Sequence, residues 1–510
     1  MSLMGIDIGT TGCKSAVFSE DGRCISTVYR EYSIMRPQSG YAQLDSRAVL
    51  NAVYEAISTA ASETANDPIK ALSISSLGEA FVPVSSDRQI LENSILSSDV
   101  RGEEFLNFIK NQISPYDFYK INPNIIGSNY SLPKLLWIKR YEPYLYDRSY
   151  KFLLWADMVA FMLGAEPRTS FSLANRTLLY DINKKDWSDE LLSLSGIERN
   201  KLPNIVASGT IIGHVSKAVA ANLNLPNNTA IVMGGHDQCC NSLGAGVYKP
   251  GKAVCGMGTF ECITPVYGVM PDPAYMLDNG LNVEDHIISG RYVSFIYNQS
   301  GALVKWFRDT FAIADRKLLK PHVDIYEVLT AEMPNAPTNL VTLPYFEPTG
   351  TPNFITNASG VIAGLKIDTQ RGEILKSIME CTSFYFLESV DVLRNIGIDS
   401  REFIVTGGGA KSDKWLQIKA DIFGVPFIRP VITECSLAGA AIIAGISSGI
   451  FADVHEAVSQ IVKVDCTFEP NSKYHEIYKE KYAMYRQISP GLKEASVALH
   501  GAKEVGEKAN

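Results

Sequence analysis

Short apolar runs alternate with longer stretches of helical periodicity along most of the chain, a pattern that predicts an α/β protein. Residues 3–8 are apolar, Gly9-Thr10-Thr11-Gly12 forms a turn, and 14–18 reads as a return strand. Glu20-Asp21-Gly22 supplies a second turn and 24–32 a third strand. Asp45 or Ser46 caps an expected helix to about Ser62, with Val49, Val53, Ile57 and Ala60 on one face. Residues 69–75 read as a buried strand. The region from about 100 to 225 is richer in aromatics and helical pattern, with helices expected over 132–140, 152–163 and 191–195. A short strand over 231–233 runs into Gly234-Gly235-His236-Asp237.

The second half repeats the theme. Residues 253–262 read as strand, glycine turn and strand, and 340–343 as a further strand. Residues 369–395 make a long helix, with Gly397 just past its end as a C-cap. A strand over 404–406 ends in Gly407-Gly408-Gly409-Ala410, after which Ser412 caps a helix carrying Trp415, Ile418 and Ile422. Strand–glycine-turn–strand and strand–Gly-Gly thus each occur twice, in the same order. That predicts two similarly built α/β domains facing each other, over 1–246 and 247–470. The Lys/Glu-rich tail over 471–510 is expected to be a surface helix that frays at its end.

Composition narrows the function. At 510 residues the chain is long enough for two to four ordinary domains with a sizeable core. A net charge of −8 argues against nucleic acid as main partner, because the basic footprint is missing. The nine cysteines are odd in number and scattered, as in a protein with reduced thiols. The start runs straight into a strand containing Asp7, so no signal peptide is expected. The apolar stretch over 437–446 is too short to span a bilayer. A cytoplasmic protein with no membrane partner is the expectation.

Candidate chemistry gathers at the glycine turns. A turn lined with N–H groups makes a nest for phosphate oxygens, and glycine permits close approach. Asp7 closes the first strand beside Gly9, Thr10 and Thr11, and Lys14 brings a cation back towards the turn. Gly256-Met257-Gly258-Thr259 forms a second such turn. Two turns of this kind fit a clamp on a polyphosphate, with Asp7 placed to hold Mg²⁺ directly or through water. Alone, the first segment also fits a tight hairpin whose Asp caps its own turn. It is not a P-loop, since G-x-x-x-x-G-K-[ST] is absent. Asp237 stands at a strand end, where it either accepts a hydroxyl proton during phosphoryl transfer or bonds its own turn. His236 reads as structural. Gly408 and Gly409 offer either a floor for a flat base or only a tight strand–helix turn. Glu79 and Asp99, just past apolar runs, fit polyol contacts or surface turns.

In this order, the segments Asp7–Gly12, Gly234–Gln238, Gly256–Thr259 and Gly407–Ser412 with Trp415 resemble the FGGY carbohydrate kinases. Supporting pieces are 133–137, 174–177, 186–188 and 439–441, so the resemblance runs from about residue 3 to about 465. It implies two ribonuclease H-like (actin-like) domains flanking a catalytic cleft. It implies ATP and Mg²⁺ in that cleft, and transfer of the γ-phosphate to a hydroxyl of a small sugar. By the same resemblance Asp237 is the base, with Asp7 and Asp237 on the metal side. Gly9, Thr10, Thr11, Lys14, Gly258 and Thr259 fall on phosphate positions, and Gly408, Gly409 and Ala410 on the adenosine site. Gly78, Glu79, Asp99, Asn129, Asp237 and Gln238 fall on or near the substrate.

The chain departs from the family pattern on the sugar side. Gly78-Glu79 stands where glycerol kinases carry Arg-Glu and xylulokinases Met-His. Residues 348–352 lack the arginine of the usual Gly-Glu-Arg-Thr-Pro stretch, and Phe260 replaces a common glycine. The expected substrate is a small open-chain sugar, first a ketopentose such as xylulose, with gluconate or another sugar acid or polyol as alternative. An actin- or Hsp70-like ATPase and a non-catalytic sugar sensor are the alternatives of other classes. A homodimer is compatible with the resemblance.

Overall fold

A computed structural model describes residues 1–64, 66–320 and 322–507, with 501–507 as backbone only. Two β-sheets dominate it. In the first, the order is Ile211–His214, Ala230–His236, Ile69–Ser76, Ser2–Ile8, Gly12–Ser19, Cys24–Glu31. The last three strands form an antiparallel meander. Ile69–Ser76 and Ala230–His236 run parallel to the opening strand. The second sheet repeats the plan. Lys252–Met257 pairs antiparallel with Phe260–Tyr267, which pairs with Ile296–Gln299, while Glu402–Thr406 and then Phe427–Pro430 extend it in parallel.

This duplicated order confirms two α/β domains but corrects the strand correspondence. Glu402–Thr406 lies directly beside its sheet's opening strand, as Ile69–Ser76 does in the first sheet. The counterpart of the triple-glycine turn is therefore the Leu77-Gly78-Glu79 turn. The Gly234-Gly235 pair belongs instead to a strand one place farther out, Ala230–His236, which continues through both glycines.

Two helices join the halves. Asp237–Gly244 follows a strand of the first sheet, and Cys435–Ser447 follows Phe427–Pro430 of the second. They cross at glycines: a Cβ on Gly244 would collide with Cys435 O, and one on Gly439 with Cys240 O. Cys435–Ser447 also lies against the opening strand, where a Cβ on Gly5 would strike Leu437 O. A core of Leu3, Phe18, Cys240, Leu243, Val254, Ile404, Leu437 and Ile442 is shared by both sheets through this crossing.

Local signals explain most helices. Asp45 caps Ser46–Ser62 by accepting from Arg47 N and Ala48 N. Ser412 caps Asp413–Phe423, and Arg371–Arg394 opens with a reciprocal Gln370–Glu373 capping box.

One expectation needs correction. Residues 152–154 are not helical: Lys151–Leu154 is a strand paired with Phe81–Val84, and the helix is Trp155–Leu163. The tail helix is mostly exposed but carries a buried stripe. Ser472–Glu507 buries Tyr478 and Tyr485, and Lys481 Nζ pairs with the fully buried Glu380 at 2.5 Å. The aromatic residues, three to four positions apart on one face, anchor it to the Arg371–Arg394 helix through Phe384.

Candidate active site

Both glycine turns are hairpin tips at matching places in the two sheets. Gly9 N donates to Gly12 O at 2.9 Å, and Gly258 N donates to Phe260 O at 3.0 Å. Thr10, Thr11 and Thr259 are exposed at these tips. The Gly407–Ala410 turn leans on the second tip. Gly407 has φ +84°, and a Cβ there would lie 2.9 Å from Met257 O. Gly409 is as close to the Met257 side chain, at 2.9 Å. Gly258, Thr259, Gly408, Gly409 and Ala410 thus form one rim. Lys14, beside the first tip, reaches the other half: its Nζ pairs with Glu434 Oε2 at 2.6 Å, at the head of the Cys435–Ser447 helix.

Asp7 lies beside the first of these turns, near enough to Asp237 to feel its charge. Ser75 Oγ donates to Asp7 Oδ1 at 2.6 Å. Burial, followed by the charge of Asp237, pushes the Asp7 carboxyl up to about 7, against the pull of Ser75 and Lys14. Asp237 is the first residue of its helix, and its carboxyl is also raised. Burial is the main cause there and Glu79 adds to it, while His236 and the Gln238 N–H groups oppose. Asp237 Oδ1 is buried without a hydrogen-bond donor. Two carboxyls with raised proton affinity, one of them raised in part by the other, beside a phosphate-type turn fit a divalent cation, with Asp7 and Asp237 as the groups to hold it. Asn241, one turn along the same helix, donates to Thr406 Oγ1 at 3.5 Å and so touches the strand that feeds the glycine turn.

The sugar-side residues form an alternating chain of charges. Arg176 Nε donates to Glu79 Oε1 at 2.9 Å, and its Nη2 closes on the same oxygen. Arg176 Nη1 faces Glu284 Oε2 at 3.8 Å. His236 Nδ1 bonds Glu284 Oε1 at 2.8 Å, and His236 Nε2 lies 3.3 Å from Asp237 Oδ1. Arg176 is sandwiched by Tyr130 and Phe295, 4.8 and 5.7 Å from the ring centres. Gly78 leaves room for this array, since a Cβ there would sit 2.7 Å from Arg176 Cγ and 2.9 Å from His236 Cδ2. Burial works against an imidazolium at His236, but the charge and hydrogen bond of Glu284, with Asp237 behind, raise its pKa overall.

Glu79, Gly78, Asp237 and Gln238 are therefore brought together, and Asn129 stands next to Tyr130 at their edge. Asp99 is turned elsewhere. Both its oxygens are taken by Arg101 at 2.7 and 2.9 Å, and Ala42 N adds a third bond at 2.6 Å, so it holds a loop. Its neighbour Lys134 clasps the Asp99 and Arg101 carbonyls.

Sequence reading did not find Glu284, gave Arg176 no role and took His236 as structural. Glu284 comes from the two-residue strand Glu284–Asp285 at the edge of the second sheet, which carries no motif. Ligand atoms of His236, Cys239 and Glu284 lie within 4.8 Å of one another, as in a metal site. Glu284 Oε1, however, already accepts from His236 and from Cys239 Sγ at 3.3 Å, so the trio is a closed hydrogen-bonded cluster. All nine cysteines are free thiols, and no helix among the described residues is long and apolar enough to cross a membrane.

Comparison with known proteins agrees with this geometry. Residues 2–244 match the N-terminal domain of the FGGY family of carbohydrate kinases, and residues 269–448 match its C-terminal domain. The chain is 28% identical over 506 residues to a xylulose kinase of Bacillus subtilis (strain 168), covering 98% of both chains. Its fold matches the crystal structure of ligand-bound xylulose kinase from Lactobacillus acidophilus, with TM-score 0.88, 23% identity and coverage of 98% of this chain and 99% of that one. The gluconate kinase structure from Lactobacillus acidophilus matches with TM-score 0.87, 22% identity and the same coverage.

Proposed function

The chain belongs to the FGGY family of carbohydrate kinases, and from that premise we propose that it phosphorylates a small, neutral, open-chain sugar, a ketopentose such as xylulose first. ATP is the phosphoryl donor. The observation that carries the reading is the nearness of Asp237 to Asp7, which stands beside the first hairpin tip, close enough for the charge of one to raise the carboxyl of the other.

Each side chain then has a task. The N–H groups at Gly9–Thr11 and Gly258–Thr259, with Lys14, receive the triphosphate, and Gly408–Ala410 receive the adenosine. Asp7 and Asp237 would hold Mg²⁺, which supplies neutralisation of phosphate charge. The Asp237 carboxylate, whose Oδ1 is buried towards His236 while the side chain is partly exposed, takes the proton of the attacking hydroxyl. Burial raises its proton affinity, which suits a base that must keep that proton while the new P–O bond forms.

The charge balance favours a neutral substrate over a sugar acid. Arg176, the cation of the sugar side, is already shared by Glu79 and Glu284, and Asp237 adds a further negative charge. A substrate carboxylate would meet net negative charge in a half-buried site, where repulsion is weakly screened. Glu79 Oε1 is occupied by Arg176, and Glu79 also offers Oε2 to sugar hydroxyls.

The test is ADP release from Mg·ATP with a panel of pentuloses, hexonates and glycerol. Turnover with a ketopentose well above that with gluconate supports the reading. Preference for gluconate contradicts the neutral-substrate assignment, and release indifferent to every acceptor contradicts the kinase assignment.

A further inference from the structure

We propose that Glu284 and His236 are positioning residues for Asp237: Glu284 fixes the imidazole, and the imidazole orients the carboxylate so that its free oxygen faces the sugar hydroxyl. This rests on the kinase reading above.

The geometry leaves the imidazole little freedom. A carboxylate oxygen can only accept, so Nδ1 carries the proton in the 2.8 Å contact with Glu284 Oε1. Nε2 lies 3.3 Å from Asp237 Oδ1, so the ring stands between two carboxylates, and as an imidazolium it directs its second N–H at that oxygen. Phe295 meets the ring in a T-shaped contact at 5.3 Å, and a Cβ on Gly78 would lie 2.9 Å from Cδ2, so the ring is closely packed. Glu284 is fixed in turn by Cys239 Sγ at 3.3 Å and by Arg176 at 3.8 Å.

A fully buried carboxylate is costly unless it is paired. For packing alone, an apolar residue would serve on this edge strand. Glu284 instead contacts His236 and Arg176, which line the site, and the buried Cys239 behind them. It also crosses between the halves, since His236 ends a strand of the first sheet and Glu284 lies on the second. Closing the two halves and aligning the base are therefore one event. Small misplacements of a reacting group cost about 10²-fold in rate, which sets the size of effect expected when the pair is broken.

The experiment is a double-mutant cycle with Glu284→Ala and His236→Ala, assayed with D-xylulose and Mg·ATP, with Glu284→Gln as the conservative variant. The expected result for Glu284→Ala is a loss in kcat of about 10²-fold, with KM for both substrates within about threefold. Glu284→Gln, which keeps an oxygen for Nδ1–H, recovers most of that loss. The double variant is no slower than His236→Ala alone, because both act through one carboxylate. Multiplying losses, or a wild-type kcat in Glu284→Ala, overturns the pair. Should Glu284→Ala not fold, His236→Gln decides: a kcat loss with unchanged KM supports the pair, and a wild-type kcat overturns it. A wild-type protein that releases no ADP with D-xylulose, D-gluconate or glycerol overturns the kinase reading, and the pair with it.

Discussion

The charge of Asp237, at the head of the helix that follows Ala230–His236, reaches Asp7 and, after burial, is the largest influence raising its pKa. Asp7 lies on the opening strand and Asp237 directly follows Ala230–His236, two strands separated in the first sheet by Ile69–Ser76. Their proximity creates local repulsion that a divalent cation and a triphosphate would relieve.

Asp7→Asn is accordingly expected to stabilise the ligand-free protein at pH 8. The folded pKa of Asp7 is about 7 against an ordinary 3.8, so the folded state binds more protons between those values. Stability from this group is complete below about pH 4 and is lost as pH rises through 7. The variant escapes that loss, gaining on the order of 1–3 kcal/mol at pH 8, or a few degrees in melting temperature, and little at pH 4–5. In the kinase assay it should need more Mg²⁺. Identical melting profiles at both pH values would refute the repulsion.

Lys14 and Glu434 form an ion pair about a third exposed on each side. Such a pair contributes at most about 1 kcal/mol to stability. Lys14→Met should therefore leave the melting temperature nearly unchanged, while raising KM for ATP roughly tenfold by removing a charged phosphate contact. KM for the sugar should stay put. An unaltered ATP KM would remove Lys14 from the phosphate site.

Glu79→Gln tests the charge balance around Arg176. With one of its two carboxylates gone, Arg176 has charge to spare for a substrate carboxylate. The ratio of kcat/KM for gluconate to that for xylulose should rise at least about tenfold, a shift of roughly 1.4 kcal/mol. A ratio that does not move would mean that the Arg176 charge does not reach the substrate.

The final long helix carries a structural prediction. Glu380 is fully buried and receives bonds from Thr338, Tyr478 and Lys481. Lys481→Met leaves its charge uncompensated, a loss of about 3–5 kcal/mol. The melting temperature should drop by several degrees while both KM values hold. Equal stability would show that the helix is not needed by the second domain.

The parts of this fold legible in the sequence are those that local chemistry dictates. Gly9–Gly12 and Gly258–Thr259 announce hairpin tips because close backbone turns call for glycine, and Asp45 and Ser412 announce helix starts because orphan N–H groups call for an acceptor. Asp7 and Asp237 were visible because each stands beside such a signal. Glu284 was not, since its importance comes from a pairing with His236 made only by folding, on a two-residue strand. Asp99 shows the reverse: its place before Arg101 suits a sugar contact as well as the closed ion pair it makes. In the tail Lys and Glu surround Tyr478 and Tyr485, and only the repeat of those tyrosines along one helix face marks the buried stripe.

The most direct measurement of the central claim is coupled ADP release and sugar phosphate formation from Mg·ATP and D-xylulose, in the wild type and in Asp237→Asn. The account predicts one sugar phosphate per ADP in the wild type. It predicts a loss of about 10³-fold or more in kcat for the variant, with ATP binding preserved. Acceptor-independent ADP release in the wild type, or wild-type turnover by Asp237→Asn, would contradict it.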